Sequence, residues 1–335
     1  MENDIFARVL DIFKKKESFF LVSHYLPDGD SIGSLVALAN ALLNKGKKIT
    51  VFCRDEVPAI YKFLNEPAII SNDFDAETTE GNTLIVLDCS DTSRTGISLE
   101  QLSKFEEIVN IDHHVTNEYF GDVNLVDPGA SATGEIIYEL INRGNIDLDV
   151  KVAQALYVAI STDTGSFKYE NSTPRAHQVV ADLMVNHKLN PSLISQKIFD
   201  EKPLAYFLLL NKALSSLELF GDGKIACMTL SEEYLFEVGT TLETIDGIVN
   251  YAKSIDTVEI GILFYVNGKG EVKVGLRSKE VDVSQIAANF NGGGHKKAAG
   301  FRSEDIYSHT KKKTLEAAAS LISNHYQKAH ASDFK

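Results

Sequence analysis

The sequence predicts an α/β protein in which an N-terminal, doubly wound and mainly parallel sheet is joined by a helical linker to a smaller α+β domain. Three observations carry that reading. Short apolar runs of strand length, at residues 18–23, 48–53, 83–88 and 107–111, are interspersed with segments of helical period. These runs tend to end in acids and imidazoles, at the sheet edge where open α/β folds bind ligands. A chain of 335 residues is also longer than one core usually serves, and its composition shifts near residues 187–203. The domain boundaries expected are 1–187 for the first domain, 188–218 for the linker and 219–335 for the second domain.

Taken in order, residues 1–16 read as an amphipathic helix with Ile5, Val9, Leu10 and Phe13 on one face, without the layout of a signal peptide. The first strand (18–23) leads through His24, Asp28, Gly29 and Asp30 into a helix with Ile32, Leu35, Val36, Ala39, Leu42 and Leu43 at helical spacing. A second strand (48–53) precedes a short helix and polar connection over 54–82. The third strand (83–88) ends in Asp88, and the fourth (107–111) in Asp112-His113-His114. Helices follow at 131–140, 152–162 and 173–186, the last opened by the Thr173-Pro174 pair. Leu204, Phe207, Leu208, Asn211, Leu214 and Leu217 mark a connecting helix. Beyond Gly221, strands are expected at 224–230, 258–266 and 271–278, with a hairpin turn at Asn267-Gly268-Lys269-Gly270. A helix at 283–290, a flexible glycine-rich loop at 291–295 and a last helix at 307–325 complete the chain.

Composition narrows the function. A net charge of −14 argues against a long nucleic-acid track, which needs a broad basic face, but leaves room for small anionic substrates where cations are concentrated. No apolar run is long enough to cross a bilayer, so no membrane partner is expected. Cys53, Cys89 and Cys227 are odd in number and far apart. They form neither a zinc spacing nor a disulfide framework, which suits a reducing cytoplasm.

The strand ends share one chemistry. The first offers His24, Asp28 and Asp30, the third Asp88, the fourth Asp112, His113 and His114, and a later helix end Asp163. Singly, each has an ordinary explanation as a turn or a helix cap. Together at one sheet edge, Asp28, Asp30, Asp88 and Asp163 would repel one another unless cations neutralise them, and their four charges match two divalent ions. Carboxylate and imidazole without thiolate favour Mn²⁺, with Mg²⁺ or Co²⁺ in its place, over structural zinc. A metal pair about 3.5–4 Å apart can hold a bridging hydroxide and clamp phosphoryl oxygens, so phosphoester hydrolysis is the expected output.

His24-x-x-Pro27-Asp28-x-Asp30 with Gly33-Ser34, the Asp88 strand end, Asp112-His113-His114 and Asp163-Thr164-Gly165 together resemble the motifs of the DHH phosphoesterases. The resemblance implies one metal on His24, Asp28 and Asp88 and another on Asp30, Asp88, His113 and Asp163, with Asp88 as the bridge. It gives His114 to substrate phosphate and makes Asp112 a support for the histidines, so Asp88, His114 and Asp112 carry the catalysis. Farther on, Gly275-Leu276-Arg277-Ser278 and Gly292-Gly293-Gly294-His295-x-x-Ala298-Ala299-Gly300 resemble the family's DHHA1 domain. This resemblance implies substrate contacts from Arg277, Ser278, Gly293, Gly294 and His295, and an active site in the interdomain cleft. Lys273, Lys279, Lys296 and Lys297 add positive charge nearby. Arg94 could reach phosphate or make a surface salt bridge, Arg175 reads as structural, and Phe167 and Tyr169 are expected beneath the site.

A DHH–DHHA1 chain of this size is most similar to the oligoribonuclease and pAp phosphatase group. The implied substrates are short RNA and a mononucleotide bisphosphate, not long duplexes, and a homodimer is the assembly the resemblance suggests. Cleavage of the linear dinucleotide pApA is the alternative within the family. A non-catalytic nucleotide sensor is the alternative outside it.

Overall fold

A computed structural model describes residues 4–64, 70–74, 82–245 and 247–332, apart from the side chains of His295 and of residues 328–332. Much of the 54–82 connection therefore lies outside the described residues. The chain divides into two compact units, Met1–Glu201 and Lys202–Lys335.

The first unit opens with α1 (Ile5–Lys15), capped by Asp4, and then β1 (Ser18–Val22), α2 (Gly29–Asn44), β2 (Lys48–Phe52) and β3 (Ile70–Ser71). It continues with β4 (Thr83–Leu87), α3 (Leu99–Leu102), β5 (Glu107–Asp112) and β6 (Val123–Val126). Then come α4 (Thr133–Arg143), α5 (Val150–Asp163), α6 (Pro174–Asn186), α7 (Pro191–Ser195) and a turn of π-helix at Gln196–Asp200. All six strands are parallel, in the order β3-β2-β1-β4-β5-β6. In this order the chain reverses its winding between β1 and β4, and ligands of doubly wound folds bind outside the carboxyl ends of strands at such a switch point.

The strand alternation feeds two cores. Phe19, Leu21, Ile85, Leu87, Val109 and Ile111 bury one face of the sheet against helices that include α2, α4 and α5. Phe20, Val22, Phe52, Leu84 and Val86 bury the other with Ile97, Leu102 and Phe105. Burial on both faces explains why these strands read as unbroken apolar runs.

Close helix packing depends on glycine. A Cβ at Gly33 of α2 would lie 2.5 Å from the Ala155 carbonyl of α5, and one at Gly134 of α4 would lie 2.5 Å from the Ala159 methyl. A Cβ at Gly29 would meet Thr162, the residue before Asp163. Without side chains at these three positions, the end of α5 can reach the starts of α2 and α4.

The second unit comprises α8 (Leu204–Ser215), β7 (Glu218–Phe220), β8 (Ile225–Ser231), α9 (Glu232–Glu237), α10 (Val249–Lys253), β9 (Ile260–Val266) and β10 (Val272–Ser278). It ends with α11 (Ser284–Ala288), β11 (Gly293–His295), β12 (Ala298–Ser303) and α12 (Tyr307–Ser332). Its sheet runs β11-β12-β10-β9-β8-β7 and is mixed, with β8 and β9 parallel and the other pairs antiparallel. Among the described residues, no helix is long and apolar enough to cross a membrane.

Three local expectations change. The glycine-rich stretch before His295 is strand β11, because β12 supplies partners for Gly293 and Gly294. The segment 188–218 does not stand apart: it is split at Glu201, and α8 packs Tyr206, Leu209, Leu210 and Ala213 into a core of the second unit. The stripe read from the sequence on that helix, Leu204, Phe207, Leu208 and Leu214, is its exposed side.

Gly33→Ala is expected to destabilise the protein by about 1–3 kcal/mol through overpacking, read as a lower thermal midpoint. An unchanged midpoint would mean that α2 and α5 are not packed this closely.

Candidate metal centre

The first unit gathers its acids and imidazoles at the carboxyl edge of the sheet. His24 follows β1, and Asp28 caps α2, its side chain accepting from the Ser31 amide at 3.0 Å. Asp30 sits in the first turn of α2, Asp112 ends β5 and Asp163 ends α5. Asp88 follows β4 with a left-handed backbone, φ 54°. That conformation is uncommon outside glycine but tolerated by Asp and Asn.

Three groups of side chains lie close enough to share an ion: His24, Asp28 and Asp88; Asp30, His113 and Asp163; and Asp88, His113 and His114. His24 Nε2 is 3.6 Å from Asp88 Oδ2 and 3.8 Å from Asp28 Oδ2. His113 Nε2 lies 3.8, 3.6 and 3.7 Å from oxygens of Asp30, Asp88 and Asp163. These separations are too long for good hydrogen bonds. Two ligands each about 2.1 Å from one ion stand about 3.0 Å apart at a right angle and about 3.6 Å apart at 120°. The donors are thus spaced as ligands around common centres, and their chemistry of hard oxygens with imidazole nitrogen fits divalent cations.

The second ring nitrogens of the histidines are engaged. His24 Nδ1 bonds the Tyr25 carbonyl at 2.8 Å and His113 Nδ1 faces the Ala130 carbonyl at 3.4 Å. In the neutral tautomer with the proton on these nitrogens, each Nε2 would face the carboxylates bare, as metal-binding imidazoles require. His114 differs, since its Nδ1 donates to Asp112 Oδ1 at 2.7 Å. Asp112 is buried and also accepts from Asn117 Nδ2 at 2.6 Å and the His113 amide at 2.8 Å. Burial alone would raise the Asp112 pKa, but His114 and Asn117 hold it below the usual range. Burial would depress the His114 pKa, but Asp112 and Asp88 hold it above the ordinary imidazole range.

The amino end of α4 anchors the buried acids. Thr133 and Gly134 amides donate to Asp30 at 2.6 and 3.0 Å, and Ser34 Oγ donates to it at 2.9 Å. Thr133 Oγ1 donates to Asp88 at 3.1 Å, and Asn171 Nδ2 to Asp163 at 3.2 Å. Helix amides and the helix dipole favour negative charge there. They do not offset the crowding. Burial and the neighbours Asp88, Asp163 and Asp28 push the Asp30 pKa well up. Asp163 is raised to about 6, chiefly by burial and by Asp88 and Asp28, although His113 opposes the shift. Burial would lower His24, but Asp28 and Asp88 outweigh it and raise its pKa to about 10. The site is short of positive charge.

The second unit carries a groove of about 1210 Å³ whose lining includes Lys273, Gly275, Arg277, Gly293, Gly294 and Arg302. Gly275 of β10, Gly300 of β12 and Gly293 of β11 stand opposite one another across three strands. No atom lies within 4 Å of where a Cβ would stand at Gly275 or Gly293, so the sheet there is a bare floor. Ser278 does not join this lining. Strand alternation turns it to the face opposite Arg277, where it is buried and its hydroxyl donates to the Val281 carbonyl at 2.6 Å. His295 is paired with Ala298 on the edge strand, and its side chain lies outside the described part.

Residues 18–160 match the model of the DHH family, N-terminal domain, and residues 222–325 that of the DHHA1 domain. The bifunctional oligoribonuclease and PAP phosphatase NrnA of Thermus thermophilus is 30% identical over 87% of this chain and 86% of its own. The chain belongs to the DHH family. A probable enzyme of the same name from Streptococcus mutans is 27% identical over 91% of this chain and 98% of its own. Among solved DHH-like folds, an exopolyphosphatase-related protein from Bacteroides fragilis superposes with a TM-score of 0.88 at 25% identity, covering 95% of this chain and 97% of that one.

Sequence reasoning missed three supports of this DHH centre, Asn117, Thr133 and Asn171, and quoted Ser34 within a motif without giving it a role. Only Ser34 had a local signal, four residues after Asp30 on one helix face. Arg175 is structural, joining Asp127 at 2.8 Å, Glu135 at 2.8 Å and Glu139 at 2.6 Å. Phe167 packs partly buried against the core of the first unit, tilted toward His177 at 5.0 Å between ring centres, whereas Tyr169 is exposed and does not form a floor beneath the site. Arg94 makes no ion pair among the described residues.

The raised groups set a pH dependence for the ion-free protein. Asp163, Asp30 and His24 all bind protons more tightly folded than unfolded. Each stabilises fully below its unfolded pKa and loses that contribution as pH rises through its folded value. Asp112 is depressed, so its contribution is lost only at more acid pH. In chelator, the thermal midpoint should therefore fall from pH 5 to pH 8, because Asp163 ionises near 6 and because above the ordinary histidine range the unfolded chain loses the His24 proton that the folded protein still holds. Added divalent cation should restore most at pH 8, and a flat profile in chelator would contradict the crowding.

Proposed function

We propose that the chain is a divalent-cation-dependent phosphohydrolase that removes mononucleotides from very short RNA and the 3′-phosphate from pAp. The observation that carries this is the ligand-like spacing of His24, Asp28, Asp30, Asp88, His113 and Asp163 around shared points at the switch point of a doubly wound sheet. The Thermus and Streptococcus relatives, named for oligoribonuclease and PAP phosphatase activity, supply the substrate class. An acidic chain with a local, cation-flanked groove suits substrates of one or a few nucleotides.

In this reading His24, Asp28 and Asp88 hold one ion and Asp30, Asp88, His113 and Asp163 the other, with Mn²⁺ the preferred metal. Bound divalent ions supply Lewis acidity toward phosphoryl oxygens and a water nucleophile at neutral pH. The chain's own groups do the rest. Asp112 orients His114 and stabilises its protonated ring, which donates from Nε2 to phosphate oxygen as charge develops there. Arg277 and the glycine floor receive the nucleotide, with a guanidinium suited to a terminal phosphate. Arg94 remains available to phosphate. A homodimer is the proposed assembly, in a cytoplasm where the three buried thiols stay reduced.

The test is phosphate release from pAp and mononucleotide release from a labelled RNA trimer, with Mn²⁺ or with chelator. Asp88→Asn is expected to lower kcat on both substrates by more than about a hundredfold. Full metal-dependent activity in that variant would overturn the ligand assignment. Arg277→Ala is expected to raise KM by about ten- to a hundredfold, with a smaller effect on kcat. Tight nucleotide binding without turnover of either substrate would favour a sensor.

A further inference from the structure

Beyond Lys273 and Arg302, the groove opens into an adjoining hollow of about 320 Å³. The two spaces share Leu242, Tyr265, Lys273 and Arg302. Lys273 and Arg302 face one another across β10 and β12, two residues from the paired Gly275 and Gly300. They therefore stand on the same sheet face, about 7 Å along the strands. The wall of the hollow includes Phe236, which is 76% exposed on the short helix α9.

The charges in the hollow are unequally engaged. Glu232 accepts the Gly268 amide at 2.6 Å, and Glu271 accepts Asn267 Nδ2 at 2.9 Å. Arg302 reaches Glu271 only at 3.6 Å, and Lys273 has no hydrogen-bond or ion-pair partner among the described residues. A solvated aromatic face beside two loosely held cations, continuous with a groove that exposes backbone, is the arrangement that binds single-stranded nucleic acid without reading its sequence.

We infer that this hollow is a second nucleotide subsite, where a base stacks on Phe236 and a backbone phosphate lies between Lys273 and Arg302. It rests on the proposed phosphohydrolase reading and deepens it. A bisphosphate with a single nucleoside fills the glycine-floored groove alone, whereas an oligoribonucleotide extends into the hollow. Phe236 then raises affinity for oligonucleotides relative to pAp.

The experiment uses the full chain with Mn²⁺ and compares KM for an RNA trimer with KM for pAp. Phe236→Ala should raise the trimer-to-pAp KM ratio by about five- to a hundredfold, the range for a lost base–aromatic stack. Phe236→Trp should keep the ratio near that of the natural protein. A ratio unmoved by Phe236→Ala, or equal losses on both substrates, would overturn the subsite. An unmoved ratio with altered sedimentation would instead assign the patch to contact with a second copy. If the natural protein turns over neither substrate, the phosphohydrolase reading fails separately. Fluorescence anisotropy of a labelled trimer on the chelated protein then decides the subsite, with weaker binding by Phe236→Ala supporting it and equal binding overturning it.

Discussion

Four aspartates drawn toward three imidazoles at one sheet edge make the electrostatic constraint to which the first unit is fitted. Bringing Asp30 and Asp88 out of water beside Asp163 is unfavourable without compensating positive charge. The fold offers partial relief through the amides of Thr133 and Gly134 and through hydroxyl and amide side chains. What remains is a deficit suited to divalent cations. An ion held there would steady the edge as well as serve the proposed chemistry.

The constraint reaches back into the packing. Asp163 belongs to a helix, not to a strand end, and arrives at the edge only because α5 lies against α2 and α4 at glycine-sized separations. Gly29 and Gly33 are therefore positional residues: they contribute no chemistry, but any side chain there would push α5 away from the aspartates of α2. The second unit uses glycine differently, leaving the floor at Gly275 and Gly293 open to a ligand, with Gly300 paired between them.

The parallel core was readable because strands buried on both faces appear as apolar runs and their acidic ends stand out against them. Strands such as β6 and β11 were not. β6 has four residues, and β11 is glycine-rich and exists through its pairing with β12. On α8 the residues are apolar on most sides, so periodicity marked Leu204, Phe207 and Leu208 when tertiary packing buries Tyr206, Leu209 and Leu210. At the centre, the titratable residues were visible as motifs. Asn117, Thr133 and Asn171 were not, because their partnerships are made by loops and a helix start that no sequence period encodes.

The left-handed turn at Asp88 also narrows what evolution can place there. Glycine and asparagine accept that backbone, yet neither carries a charge, and glutamate carries the charge on a residue less suited to the turn. The tolerated alphabet at this codon therefore shrinks toward one letter. On the proposed ligand assignment, a lineage drifting to asparagine would keep its shape while shedding its reactivity, leaving a folded relative that outward resemblance alone would mistake for a working one.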